Sequence, residues 1–305
     1  MHRVSSFVVS LGLLLAPLAA DAAAPAAPAP ASEEKAPSIQ FKQVNARVGA
    51  QEELDNAVDM RLALDLRASD MDKPMAVSMS VTSSSRHTVT VLAAKGAVVS
   101  KVKMAFGDVG EVAEEQGEVQ RKASPISGKT YLAELKKERL VITDAKGKPV
   151  SQEEEAEVKK HLPELGRPDR LEAAFPKTPL AVGASLEGFS DALAKQLVDE
   201  QGDGTRVTQT RATLVEVRQE PRGAVGIFDV AMTVSREEAN APVLMTIPLQ
   251  GKMSVLAEGI QLLELTLSGP VKVALTEDAV QAGFEARGEG AMRLRLTGKK
   301  ADTAR

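Results

Sequence analysis

The chain contains no cysteine and no tryptophan, and only one tyrosine and three histidines in 305 residues. Without thiols there is no disulfide, no thiolate nucleophile, no iron–sulfur cluster and no Cys-ligated zinc, and no cysteine to take a lipid anchor at a processing site. Stability must come from burial and backbone pairing. Aromatic residues make up 3% of the chain, too few to build the stacking platforms that hold single-stranded nucleic acids. Neither sign of charge is in excess: 38 Lys and Arg against 42 Asp and Glu leave a net −4, so no global field draws the chain to a polyanion. Both shortages argue against nucleic acid as a partner.

Patterns that carry chemistry are equally scarce. His2 lies in the leader, and His87 in a strand and His161 near a helix end read as isolated structural residues rather than metal ligands. Asp199-Glu200-Gln201-Gly202-Asp203-Gly204 matches the opening of a calcium loop, but the position that needs a bidentate acid is Thr210 and a strand follows, so it reads as a polar turn ending a helix. Gly183-Ala184-Ser185-Leu186-Glu187 lacks the closing glycine of a nucleophile elbow, and the Ser-x-x-Lys spacing at Ser32 and Lys35 lies in a spacer that cannot hold it in geometry. Adjacent acids such as Glu237-Glu238 do not by themselves reach catalytic separation. The expectation is therefore no catalytic, cofactor-binding or metal-ligating residue and no cofactor, with any ligand-binding residues unspecified.

What the chain does have is apolar alternation, with 43% apolar residues to build a core. Residues 224–256 form the organising hairpin: Phe228, Val230, Met232 and Val234 alternate with polar or small residues, then Val243, Met245, Ile247 and Leu249 do the same, a period of two that puts each set on one face of a strand. Met60, Leu62, Leu64 and Leu66 repeat the pattern, as do Met75, Val77, Met79 and Val81, whose outer face is Ser and Thr. A turn at Lys95-Gly96, a hairpin through Tyr131, Ala133, Leu140 and Ile142, and a capping box at Ser151 and Glu154 follow. Residues 111–118 read as an acidic loop closing the first meander, Ser190 as the cap of a second helix, and Gly288 and Gly290 as points where the last strand bends.

At the N-terminus a short basic head precedes an apolar run over residues 4–18 and the small-x-small pattern Ala20-Asp21-Ala22, which reads as a secretory signal peptide; a membrane anchor needs about 20 apolar residues. The organisation expected is a signal peptide over 1–22, an Ala/Pro-rich spacer over 23–37, a first antiparallel β unit over 38–150, a helical and Pro-rich connection over 151–204, a second antiparallel β unit over 205–298 and a frayed basic tail over 299–305. The fold class is mainly β with a few short helices: two antiparallel meanders, curved as paired half-barrels or combined in one extended sheet. A shift of 168 residues lays Met60, Leu62 and Leu64 on Phe228, Val230 and Met232, and Pro74 on Pro242. An internal duplication and two hairpins of equal loop parity both account for that match.

The leader and Ala-Pro spacer, Gly128-Lys129-Thr130-Tyr131 running on to Asp144-Ala145-Lys146-Gly147-Lys148-Pro149-Val150, and Phe175-Pro176 leading to Gly183 resemble uncharacterised exported bacterial proteins and lipoproteins of mostly β structure. The missing cysteine departs from the lipoprotein pattern. The resemblance implies no known activity and no site residues. Two function classes follow for an exported, periplasmic or extracellular protein with no transmembrane segment in its mature chain. One is a non-catalytic envelope protein that binds or scaffolds, with an envelope protein as partner. The other is a carrier of a lipid or other apolar ligand, resembling lipid-carrier half-barrels, with Met75, Met79, Met232, Met245, Met253 and Met292 on the inward faces. A hydrolase, its acid pair assembled from distant strands, ranks behind both.

Overall fold

The computed structural model describes residues 37–67, 74–162, 164–189, 191–193, 195, 205–237 and 243–301. The signal peptide, nearly all of the spacer, the Ser32/Lys35 pair, the calcium-like turn at 199–204 and Glu238 lie outside the described residues. The strands are β1 (Ser38–Ile39), β2 (Gln51–Arg67), β3 (Met75–Lys95), β4 (Val98–Glu115), β5 (Glu118–Ala123), β6 (Thr130–Lys136), β7 (Arg139–Asp144), β8 (Leu180–Ala181), β9 (Thr205–Glu220), β10 (Gly223–Glu237), β11 (Val243–Leu256), β12 (Gln261–Leu275) and β13 (Glu285–Ala301). The helices are α1 (Gln152–Lys160), α2 (Arg170–Ala173) and α3 (Glu277–Gln281). No helix among the described residues is long and apolar enough to cross a membrane.

Eleven strands form one antiparallel sheet in the order β7-β6-β4-β3-β2-β13-β12-β11-β10-β9, with β5 pairing the second half of β4; β1 and β8 form a separate two-stranded pair. Of the two expected arrangements, the meanders thus combine in one sheet, and it is open, ending at β7 and β9. The join is β2 against β13, seventeen residue pairs from Gln51↔Ala301 to Arg67↔Glu285. This pairing overturns the expected fraying for residues 299–301, residues 302–305 lying outside the described residues: Lys299 and Lys300 sit opposite Glu53 and Glu52, so opposite charges continue the ladder where a basic end alone would loosen. The gapless 168-residue shift preserves which face each residue occupies but not the register. It would carry Val230↔Gly251 onto Leu62↔Ser83, whereas Leu62 pairs with Met79.

The acidic stretch is also strand rather than loop. Glu111 to Glu115 end β4, and β5 begins at Glu118; Gln116 and Gly117 both take positive φ, 53° and 86°, the two-residue turn whose twist matches antiparallel strands. Backbone pairing to β3 and β5 on both sides outweighs the weak strand propensity of glutamate. The helix expected to be capped by Ser190 starts earlier, at Glu187.

The sheet's inner face carries two cores. The larger gathers Met60, Leu62, Leu64, Val230, Met232, Ile247, Leu249 and Leu267 from the strands against Phe41, Phe175, Leu186, Phe189 and Leu193. Phe41 packs 4.7 Å from Phe175 and 5.9 Å from Phe228, centroid to centroid, closing the end of the sheet where β10 begins. The smaller core gathers Val102, Met104, Phe106, Tyr131, Ala133 and Ile142 under Val158 of α1. The expected capping box holds α1: Ser151 Oγ accepts from Glu154 N at 3.2 Å, and Ser151 N donates to Glu154 Oε2 at 3.0 Å. Ser151→Ala is expected to cost about 1 kcal/mol of stability, measured by urea unfolding.

Candidate functional site

On β2, β3, β10 and β12 the inner row of the larger core changes along its length, whereas on β11 it stays buried out to Val243. On β2, Met60, Leu62 and Leu64 are buried and Leu66 is half-buried; on β12, Val271 is buried and Val273 and Leu275 are half-buried; on β10, Met232 is buried and Val234 half-buried. On β3, Val81, Met79 and Val77 are half-buried and Met75 reaches 44% exposure. Antiparallel order puts Leu66, Met75, Ala286, Leu275 and Val234 at one end of the sheet. The inner face is therefore closed by phenylalanines at one end and, on β2, β3, β10 and β12, loses cover while still apolar at the other, with Val243 of β11 buried among them. Of the six inward methionines expected, Met232, Met245 and Met253 are buried, Met79 and Met292 half-buried and Met75 exposed.

Beside this trough the inner face turns polar. Asn56 on β2 pairs with Ser85 on β3, and Ser83 lies between Val58 and Glu111. Asn56 continues the inner row of β2 past Met60 and Val58, Ser83 and Ser85 continue that of β3 past Val81, and Glu111 continues that of β4 past Ala113. Asn56 Oδ1 is buried without a hydrogen-bond partner among the described residues, an acceptor whose desolvation they do not offset. Sequence reading passed over this row because serine and asparagine in a strand look like solvent-facing positions; their parity with Met60 and Val81 is the signal that marks them.

Two further polar arrangements come from distant segments. Glu52 on β2 accepts from Gln261 Nε2 at 3.2 Å, and Gln261 Oε1 accepts from Arg222 at 2.9 Å. Burial raises the Glu52 carboxyl, and it raises Glu172 of α2 to about 7, helped by Asp169 and Glu52 and opposed by Lys300. Glu52 of β2 thus adds a small repulsion to Glu172 of α2 while itself held by Gln261. On the outer face, a cleft of about 710 Å³ is lined by Arg61, Ser78, Ser80, Glu114 and Glu289 over small Ala63 and Ala291. It interrupts a seam of opposed charges, Glu285↔Arg67, Arg287↔Asp65 and Arg293↔Asp59, where Glu289 instead faces Ala63 and Arg61 faces Ala291. Its charges are open to water and screened by salt.

The histidines were expected apart, and the fold brings them together: the His87 and His161 rings lie 4.9 Å apart, both against Phe106. No group of three or more His, Asp or Glu that could hold a metal ion occurs among the described residues. Ser185 of the elbow-like stretch bridges to β9 and shares a 3.0 Å hydrogen bond with Thr213, an edge-strand contact. Tyr131 donates to Glu154 Oε1 at 2.9 Å; hydrogen bonds from Lys129, Ser151 and Tyr131 hold Glu154 down to about 2.

No protein-family model matches the chain, and no curated protein matches it. Among solved structures, it is similar to DynF from the dynemicin biosynthesis pathway of Micromonospora chersina, at 7% identity over 88% of each chain with a TM-score of 0.19. It is also similar to a DUF1329 family protein from Desulfovibrio piger, at 7% identity over 84% of this chain and 88% of that one, with a TM-score of 0.13. Neither score is high enough to assign a fold or a function.

Proposed function

We propose that this is an exported, non-catalytic binding protein of the envelope, periplasmic or extracellular, that holds an amphiphilic ligand in the open end of its sheet. The observation that supports this reading is the graded inner face, on which Leu66, Val77, Met79, Val273 and Leu275 stay apolar while losing cover. A contiguous apolar row that loses cover toward one end favours a ligand that removes it from solvent. Unbranched methionines along it suit a flexible acyl chain. Along β3 the inner row runs on from Val81 into Ser83 and Ser85, opposite Glu111 and Asn56, so an extended chain lying from Met75 to Val81 would bring a hydrogen-bonding headgroup, an amine or a hydroxyl, to that polar row.

The test is native mass spectrometry of protein purified gently from envelope extracts, followed by a denaturing mass of the same sample. Adducts of lipid mass, lost on denaturation, are expected for the wild type. Met79→Glu places a carboxylate in the trough and should weaken occupancy about tenfold or more, roughly 1.4 kcal/mol. A wild-type protein that flies without adduct overturns the reading. The denatured mass also reads the N-terminus, and loss of residues 1–22 or close to it is the expected sign of export.

A further inference from the structure

We infer that His87 and His161 form an acid-sensitive latch: while both imidazoles are neutral they hold α1 and the β6–β7 hairpin against the long strands, and protonation of either releases them. His87 projects from the inner face of β3 between Leu54 of β2 and Phe106 of β4. It is 6% exposed, and its Nδ1 is buried with no partner. His161 ends α1 as its C-cap and meets His87 edge-on at 4.9 Å, with an interplanar angle of 66°. Phe106 completes the contact, 5.3 Å from one ring and 5.1 Å from the other, and itself packs on Tyr131. Beside the β4–β6 backbone pairing and the apolar packing of Val158, the docking of α1 thus runs through two titratable groups.

The surroundings offer a proton no compensation. From α1, Glu157 favours the charged form of His161 and Lys160 opposes it. From β6 and the loop before it, Tyr131 and Lys129 are both engaged with Glu154. From β2, Leu54 faces His87, while Glu53 and Asp55 lie on the other face with Arg86. From β4 the facing group is Phe106. An imidazolium at His87 would carry an unpaired N–H into an apolar site and lie beside a second imidazole.

Burial accordingly pushes His87 down to about 4, with His161 adding to the effect, and lowers His161 as well. The docked state thus favours the neutral ring, whose ordinary pKa is 6.5. Docking is at full strength above pH 6.5 and is lost as pH falls toward 4; at pH 5 the His87 shift alone weakens it about thirtyfold. Glu172 carries the opposite sign, because its raised carboxyl favours the folded state as pH drops below about 7. It belongs to the larger core, so a global melting curve mixes the two and a local readout is needed.

The experiment is amide hydrogen exchange of the full chain between pH 7.5 and 5, corrected for intrinsic rates, together with an NMR titration of the imidazole nitrogens. Protection of residues 130–144 and 152–160 is expected to fall about thirtyfold while β10 and β11 keep theirs, and His87 should titrate near 4. His87→Phe keeps a ring against Phe106 and should shrink the pH dependence of that protection to what His161 alone supplies. His87 titrating near 6.5, or protection in α1 unchanged at pH 5, would overturn the latch. Should the variant fail to fold, the wild-type titration decides alone.

Discussion

Gly251→Ala is expected to destabilise the protein by about 3 kcal/mol or more, lowering its melting temperature by roughly 6–12 °C. Gly251 lies in β11 opposite Leu267, where a Cβ would come 1.8 Å from the Thr266 carbonyl oxygen. Gly269 in β12 has the reciprocal position, its Cβ falling 1.9 Å from the Pro248 carbonyl oxygen. The obstacle in both is backbone, which cannot rotate away as a side chain would. Either substitution forces β11 and β12 apart along the seam that carries Leu249, Met253, Leu265 and Leu267 into the core. Gly107→Ala is the control: its Cβ meets the Arg86 carbonyl at an ordinary 3.5 Å, so it should change stability by less than about 1 kcal/mol. Thermal unfolding followed by circular dichroism separates the two, and equal melting temperatures would rule out close approach as the reason for glycine at 251.

Alternation made the long strands legible, because a period of two survives in β2, β3, β10 and β11 whatever packs on them. Tyr131, Ile142 and the Ser151/Glu154 box were legible for the same reason: each is a local pattern. Pairing between remote strands was not. Nothing in residues 285–301 names β2 as their neighbour, and the charge complement of Lys300 with Glu52 becomes visible only after the register is known. The acidic run at 111–115 hid because its strand character comes from the two neighbours it pairs, and its turn uses Gln116 at positive φ where glycine or asparagine would have advertised it. The His87–His161 contact joins β3 to the end of α1, and the small Glu52–Glu172 repulsion links β2 to α2. Both are tertiary facts. The candidate trough was half legible: its methionines were placed on the inward face from parity, whereas its open end and the polar row at Asn56 depend on what the rest of the chain leaves uncovered.

Phe228→Ala is expected to cost about 3–5 kcal/mol, the range for removing a fully buried phenylalanine from a core that cannot collapse around the space. The ring is completely buried, 5.9 Å from Phe41 and 6.1 Å from Phe175. Phe41 and Phe175 arrive on segments outside the sheet, and Phe175 also packs on Phe189, so the closed end is held by rings from four separate stretches of chain. Losing Phe228 leaves Phe41 and Phe175 each one ring contact short. The same substitution lies at the opposite end of the inner face from Leu66, Met75 and Leu275, which makes it a test of how the two ends divide their work. If the phenylalanine end supplies stability and the open end supplies binding, Phe228→Ala at low temperature should keep its amphiphile adducts while unfolding at much lower urea. Met79→Glu should do the reverse, with adducts lost and the urea midpoint little changed. A Phe228→Ala protein that is folded yet empty would instead mean that the ligand reaches the aromatic end, and that the trough runs the length of the sheet.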